Sequence, residues 1–176
     1  MLRRYRTRGF TLIELLVVVA IIGIIAAILI PNLLDSLQKA RQKRTMADMR
    51  NIGTIWFSWL TDQVGAAASG RQSTLVEWSE YETKDYEELK EALVPVYAAE
   101  LPERDGWRGT YEFGTLQIDL PRSVALRSSG ADGVFEGSYT IGAFVSTDYD
   151  RDIVWAGGFF VRWPGGLTSD AAGETP

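Results

Sequence analysis

The residues most able to do chemistry in this chain are four aspartates in its C-terminal third. Asp148, Asp150 and Asp152 stand at alternate positions, and Asp132 precedes them in a glycine-rich stretch. Carboxylate oxygens are the hard ligands that Ca²⁺ prefers, usually in sets of about six to eight. The spacing by itself leaves two interpretations open: a calcium site that joins two chain segments, or an acidic turn that lies in solvent.

Residue types exclude most other catalytic and metal chemistry. The chain has no cysteine and no histidine, so it forms no disulfide, no zinc or haem site with those ligands, and no Ser-His-Asp or Cys-His catalytic group. An EF-hand loop beginning at Asp148 is also excluded, because its sixth position would be Ile153 and its twelfth Phe159. Nothing in the sequence marks a cleft or sets a second group beside the carboxylates for acid–base work. We therefore expect a protein that is not an enzyme.

Charge is distributed unevenly along the 176 residues. The first 50 residues contain nine Lys or Arg against three Asp or Glu, a net charge of +6, whereas the rest contains nine against 20, a net charge of −11. The composition, with 46% hydrophobic and 23% charged residues, is that of a globular protein and excludes both wholesale disorder and a multi-span membrane protein. An acidic body also lacks the basic surface that nucleic acids require, so no nucleic-acid partner is expected.

An apolar segment of 21 residues, Phe10–Ile30, follows a short basic leader and is interrupted by Thr11, Glu14 and Gly23 alone. As a helix it would be about 30 Å long, the thickness of the hydrocarbon core of a bilayer. The segment is longer than the apolar region of a usual signal peptide, and no small-x-small cleavage site follows it. We expect it to stay as a membrane anchor, although basic residues on both sides leave its topology undecided.

Glu14 is unexpected within this segment, because a carboxylate inside a membrane is costly unless it is near the interface, neutralised or paired. One interpretation places it at the depth of the lipid headgroups, near the start of the segment. The other pairs it with a cation. Cleavage before Phe10 would create an α-amino group one helical turn from Glu14, and the same group of a neighbouring copy would lie at the same depth.

The junction between leader and apolar segment carries a family resemblance. Residues Arg8–Glu14, with the sequence RGFTLIE, and Pro31 after the apolar segment resemble the class III signal of type IV pilins and type II secretion pseudopilins. The resemblance implies that a prepilin peptidase cleaves after Gly9 and that the new N-terminal Phe10 is N-methylated. It also implies that Glu14 sets the register of subunits in a helical filament.

The C-terminal part carries further motifs of this family. Leu101–Tyr111 resembles the D-P-W-G-x-P-Y signature of the type II secretion major pseudopilin, Ser128–Gly133 its S-x-G-A-D-G, and Asp150–Ile153 with Trp155 its D-x-D-I…W. The resemblance implies a structural calcium ion held by carboxylates and backbone carbonyls, which would stabilise only the folded head. The candidate ligands are Asp132, Asp148, Asp150 and Asp152.

The chain also departs from these motifs. Gly106 replaces the first proline of the D-P-W-G-x-P-Y signature, Arg108 its first glycine and Thr110 its second proline. The interval between Asp132 and Asp148 is longer than the usual loop of the family, which leaves the ligand set open.

Hydrophobic periodicity predicts two helices. One runs from Phe10 to about Val64, apolar on all sides at first and amphipathic later, with a kink at Pro31. Its aromatic residues near Trp56 are predicted to pack against a sheet. A short second helix is predicted to begin at an N-cap, Thr83, and to end before Pro95.

Alternation and glycine turns predict strands beyond Gly106, and Gly157-Gly158 predicts a hairpin. The strand candidates are Thr110–Phe113, Thr115–Leu120, Val124–Arg127, Ser138–Val145, Ile153–Trp155 and Phe159–Trp163. The predicted fold class is α+β, a long N-terminal helix packed on a small antiparallel sheet as in pilins. The predicted segments are a cleaved leader (1–9), a transmembrane or filament-core helix (10–30), its amphipathic continuation (31–64), a globular head (65–163) that begins with a loop over 65–70, and a disordered tail (164–176).

The resemblance implies a structural subunit that forms a homopolymeric filament. Its implied partners are a prepilin peptidase, minor pseudopilins and an assembly platform in the bacterial inner membrane, with the head in the periplasm. Two alternatives stay open at this point. One is a type IV pilin for adhesion or motility, and the other is a single-span protein with an acidic binding or hydrolytic head.

Overall fold

The computed structural model describes residues 9–64, 75–118 and 120–165 and divides the chain into two units, residues 1–37 and 38–176. Helix α1, Leu12–Val64, contributes to both units. It begins slightly later than the predicted Phe10, because the Thr11 hydroxyl accepts a hydrogen bond from the Glu14 backbone N–H and caps the helix. Pro31 lies inside the helix, so the predicted continuation beyond it is confirmed.

In the first unit, α1 exposes its large apolar side chains. Leu12 is 80% exposed and Ile24 66% exposed. These side chains are apolar on every side of the helix, so burying one face would leave the others in contact with water. A surface of this kind requires a membrane, or other copies of the same helix, around it.

The second unit is built on the later part of α1. Four apolar side chains recur there at helical spacing and are at most 1% exposed: Met49, Ile52, Trp56 and Leu60. They share one core with sheet residues, and Trp56 meets Phe113 edge to face with 5.8 Å between ring centroids. Gly53 allows the close approach, because a Cβ at this position would lie 2.6 Å from the Trp155 ring. The predicted packing of Trp56 against a sheet is confirmed.

Eight strands and a second helix follow α1 among the described residues. Their bounds are β1 Leu75–Glu77, β2 Glu82–Lys84, α2 Tyr86–Leu93, β3 Glu112–Ile118, β4 Leu120–Ser128, β5 Ser138–Thr140, β6 Gly142–Phe144, β7 Ile153–Ala156 and β8 Phe159–Pro164. Six strands form one sheet with the order β2-β3-β4-β7-β8-β6, and β1 pairs with β5 separately. The large sheet is antiparallel apart from the parallel pair β6–β8. The predicted α+β pilin-like fold is confirmed.

The two faces of the sheet carry different clusters, as the period of two in a strand requires. Leu126, Ile153 and Trp155 belong to the core that contains the α1 side chains. Their chain neighbours Ala125 and Val154 belong to a second cluster, which also contains Trp78, Tyr139, Ala156 and Val161. The sheet is therefore covered on both faces.

The predicted cap of the second helix is wrong. Asp85 is the N-cap of α2, and its side chain accepts a hydrogen bond from the Glu87 backbone N–H. Thr83 lies in β2, where it pairs with Gly114 of β3. Thr83 is thus paired in the sheet with a distant part of the chain, although its residue type favours a helix N-cap. The end of the helix before Pro95 is as predicted.

Strand boundaries differ from prediction in several places. Strands β1 and β2 lie before Gly106, where no strand is predicted, Leu120 begins β4 and does not end the strand before it, and Pro164, predicted as part of a disordered tail, ends β8. The two strands predicted on either side of Gly114 are one strand, β3. Gly114 does not break the pairing of this strand. It allows close packing instead, because a Cβ here would lie 2.8 Å from the Tyr81 Cβ. The predicted strand Ser138–Val145 is divided into β5 and β6, which pair with different strands. The hairpin at Gly157-Gly158 is confirmed, with φ of 60° and 101° at the two glycines.

Three predicted features lie outside the described residues in whole or in part. These are the leader before Gly9, the loop over residues 65–70 and the tail from residue 166 onward.

Candidate functional site

Gly9 and Phe10 lie before Thr11 and the start of α1, and both are exposed. Thr11 and Glu14 form a reciprocal cap at the helix start. Glu14 Oε2 accepts from the Thr11 backbone N–H at 2.9 Å and from the Thr11 hydroxyl at 2.7 Å, while Thr11 Oγ1 accepts from the Glu14 N–H at 3.3 Å. The bond between Gly9 and Phe10 therefore lies in a non-helical segment just outside a capped helix.

The role of Thr11 was missed from the sequence, although a Thr-x-x-Glu pattern is the usual mark of a capping box. The cap engages one carboxylate oxygen of Glu14, and the side chain is exposed. Glu14 is thus held in one orientation while it retains the capacity to accept a further donor.

A second group of residues surrounds Asp105, which is 2% exposed. Asp105 Oδ1 accepts from the backbone N–H groups of Trp107 at 2.9 Å and Gly109 at 2.7 Å, and Oδ2 accepts from the Ser128 hydroxyl at 2.6 Å. A buried carboxylate is tolerated when such donors satisfy it. Asp105 therefore shapes its own loop and ties it to the end of β4. It belongs to the motif quoted above, but its role was not predicted.

The loop after Asp105 contacts the later part of α1. The Gly106 N–H donates to Thr45 Oγ1 at 2.9 Å, and Trp107 Nε1 donates to Gln38 Oε1 at 2.7 Å. A Cβ at Gly106 would lie 2.4 Å from the Arg41 carbonyl oxygen. A proline here would have that Cβ and would lack the N–H. Glycine in place of the motif's proline therefore permits a closer contact between loop and helix.

Arg108, which replaces a glycine of the motif, has a φ of 73° in the left-handed region. This conformation costs a non-glycine residue roughly 1–2 kcal/mol.

We expect Arg108→Gly to raise the free energy of unfolding by roughly 0.5–1 kcal/mol, since glycine removes the strain but adds unfolded-state entropy. Urea unfolding of the full chain in detergent measures the change. Arg108→Ala is the matched control, because alanine keeps the strain, and equal stability of the two variants would contradict the explanation.

The four predicted calcium ligands have different surroundings. Asp152 is 1% exposed, and its Oδ2 accepts from the Tyr139 hydroxyl and from the Glu136 backbone N–H at 2.9 Å. Burial raises the pKa of Asp152 to about 6. The other three are at or near the surface: Asp132 accepts from the Val134 N–H, Asp148 pairs with Arg151 Nε at 3.1 Å, and Asp150 is exposed.

These surroundings do not fit a site made of all four carboxylates. Within the part of the chain that the structure describes, no three or more Asp or Glu side chains are grouped so that they could hold a metal ion. Asp152 Oδ1 is buried without a hydrogen-bond partner, as a ligand oxygen would be, but Asp132 and Asp148 are engaged by protein groups. Calcium binding by this chain stays a prediction.

By length and composition, α1 could cross a membrane. Its most apolar 18-residue stretch has a mean hydropathy of 3.2, and none of that stretch is buried inside the protein. A retained anchor of this kind is consistent with the segment predicted above.

Comparison with known proteins finds similarity at the N-terminus and along the chain. Residues 4–30 match the family described as the prokaryotic N-terminal methylation motif. Type II secretion system core protein G of Klebsiella pneumoniae is 30% identical over 145 residues, which cover 78% of this chain and 97% of that protein. The core protein G of Klebsiella michiganensis is 29% identical over 137 residues, or 76% of this chain and 89% of that protein.

A shorter similarity extends to a pilin. The type IV major pilin protein PilA of Myxococcus xanthus is 43% identical over 58 residues, which cover 33% of this chain and 26% of PilA. No solved structure matches the chain.

Proposed function

Because this chain belongs to the type II secretion system core protein G family, we propose that it works as the major pseudopilin, the structural subunit that polymerises into the pseudopilus. The observation that carries this proposal is the similarity to a core protein G over 97% of that protein's length. The methylation motif at residues 4–30 supports processing by a prepilin peptidase before assembly. The relatives are structural subunits, and the work proposed for this chain is assembly.

The exposed apolar surface of α1 supports polymerisation. Large apolar side chains from Phe10, 73% exposed, to Leu37, 46% exposed, cannot stay in water at low cost, because burying one such side chain is worth roughly 1.5–3 kcal/mol. The membrane would cover them before assembly, and the helices of neighbouring copies would cover them in the filament. The chain is therefore membrane-anchored first and part of a filament core later.

The location proposed for the anchored subunit is the bacterial inner membrane, with the head in the periplasm. Minor pseudopilins and an inner-membrane assembly platform are its proposed partners. The acidic head, whose part of the chain carries most of the negative charge, would then coat the outside of a periplasmic filament. Extension of that filament would move secreted proteins outward.

The similarity to PilA supports a second candidate, a type IV pilin for adhesion or motility. It covers about a quarter of PilA, which makes it the weaker candidate.

Deletion of the gene in its native host distinguishes the two candidates. We expect folded secreted proteins to accumulate in the periplasm and to disappear from the medium, and wild-type complementation to restore them. Immunoblots or mass spectrometry of the two fractions measure the change. Normal secretion together with lost surface attachment or motility would instead identify a pilin.

A further inference from the structure

Arg127, near the end of β4, is an arginine in the interior of the head. Arg127 is 7% exposed, and its guanidinium group makes four hydrogen bonds. Nε and Nη2 donate to Glu112 Oε2 at 2.8 and 2.6 Å, and Nη1 donates to the Glu136 carbonyl and the Tyr139 hydroxyl, each at 2.8 Å. A buried guanidinium requires partners of this number and quality, because its desolvation would otherwise be strongly unfavourable.

Aromatic rings complete the surroundings of this cation. The guanidinium carbon lies over the Trp78 ring at 4.0 Å from its centroid and over the Phe135 ring at 4.3 Å. Both distances are within the range of cation–π attraction. Arg127 therefore connects β3, the turn after β1, the segment between β4 and β5, and β5 itself.

The connection continues through Tyr139 to two acidic loops, which are the segment after β4 and the segment before β7. The Tyr139 hydroxyl accepts from Arg127 and donates to Asp152 Oδ2, which also accepts from the Glu136 N–H. The Ala131 N–H donates to the Tyr149 carbonyl at 2.8 Å. These bonds tie the segment after β4 to the segment before β7.

The backbones of the two segments are also in close contact. Gly130 has a φ of 68°, and a Cβ there would lie 2.7 Å from the Tyr149 carbonyl oxygen and 2.8 Å from that of Arg151. The two segments thus contact each other directly at Gly130.

We propose that Arg127, with Glu112, Tyr139 and Asp152, joins the two acidic loops of the head in the place of a calcium ion. The guanidinium supplies the positive charge that two buried or half-buried carboxylates require, one directly and one through the Tyr139 hydroxyl. Asp132, Asp148 and Asp150 are then surface residues with no metal to bind. This inference does not depend on the function proposed above.

Thermal unfolding of the full chain in detergent, followed by tryptophan fluorescence, tests the proposal. We expect the wild-type midpoint to be the same in millimolar calcium chloride and in chelator, because a cation that does not bind the folded head cannot stabilise it. Arg127→Met should lower the midpoint by roughly 10 °C in both buffers, since it leaves buried partners without their cation. Arg127→Lys keeps the charge but not the forked geometry, so its midpoint should lie between those of wild type and Arg127→Met.

Arg151→Met is the matched control. Arg151 also pairs with two acidic residues, Glu136 and Asp148, but its side chain is 47% exposed, so its loss should change the midpoint little. A wild-type midpoint that falls in chelator, and that loses this response in Asp150→Ala, would overturn the proposal in favour of the calcium site. An Arg127→Met midpoint equal to wild type would overturn it as well. If Arg127→Met does not fold, the Arg127→Lys shift and the wild-type comparison of buffers decide.

Discussion

Replacing Gly9 by leucine is expected to leave the uncleaved precursor in the membrane and to abolish filament formation. Gly9 precedes Phe10 at the end of a basic leader, and a peptidase that accepts a residue without a side chain there should reject a bulky one. Among the residues that the structure describes, a Cβ at Gly9 would meet nothing within 4 Å, so no packing contact there opposes a side chain. Intact-mass measurement of the protein from native membranes shows whether residues 1–9 are still attached.

Gly9→Ala is the control for this prediction, because a small side chain should be tolerated and cleavage should continue. The wild-type mature protein is expected to begin at Phe10 and to carry an N-terminal methyl group. Mature wild-type protein that still begins at Met1 would contradict both the processing site and the pilin-like assembly.

Glu14→Leu is expected to enter the membrane at least as well as wild type and to form no filament. Removing a carboxylate from the apolar segment favours insertion by up to roughly 3 kcal/mol. In the filament, the same change would leave the α-amino group of a neighbouring Phe10 without a partner in apolar surroundings, at a cost of roughly 3–5 kcal/mol for each subunit. Membrane fractionation measures insertion, and shearing followed by quantification of released protein measures assembly.

Two variants separate the charge of Glu14 from its role as a helix cap. Glu14→Gln keeps an oxygen that can accept from the Thr11 N–H, and Thr11→Val removes the hydroxyl of the cap while it keeps the carboxylate. If pairing with an ammonium group sets the register, the glutamine variant should fail to assemble and the valine variant should retain assembly in part. Normal filament yield from Glu14→Leu or Glu14→Gln would show that this ion pair does not set the register.

Features with local causes were predictable from the sequence. The extent of α1 follows from apolar residues that repeat along one segment, and the hairpin between β7 and β8 follows from two glycines that adopt positive φ. The motif around Gly9 and Glu14 is likewise contiguous. Each of these features depends on residues within a few positions of one another, so the local sequence is enough to predict it.

The tertiary structure alone decided which polar groups meet. Asp105 bonds to Ser128, 23 positions away, and its neighbour Gly106 bonds to Thr45, 61 positions away. Arg127 reads from the sequence as one more charged residue in a strand, yet the sheet buries it beneath aromatic rings. The alternate aspartates are equivalent candidate ligands in the sequence, yet Asp152 is buried against the Tyr139 hydroxyl and Asp150 is exposed. Desolvation and hydrogen bonding depend on what surrounds a side chain in space, and only the packing of strands and loops determines those surroundings.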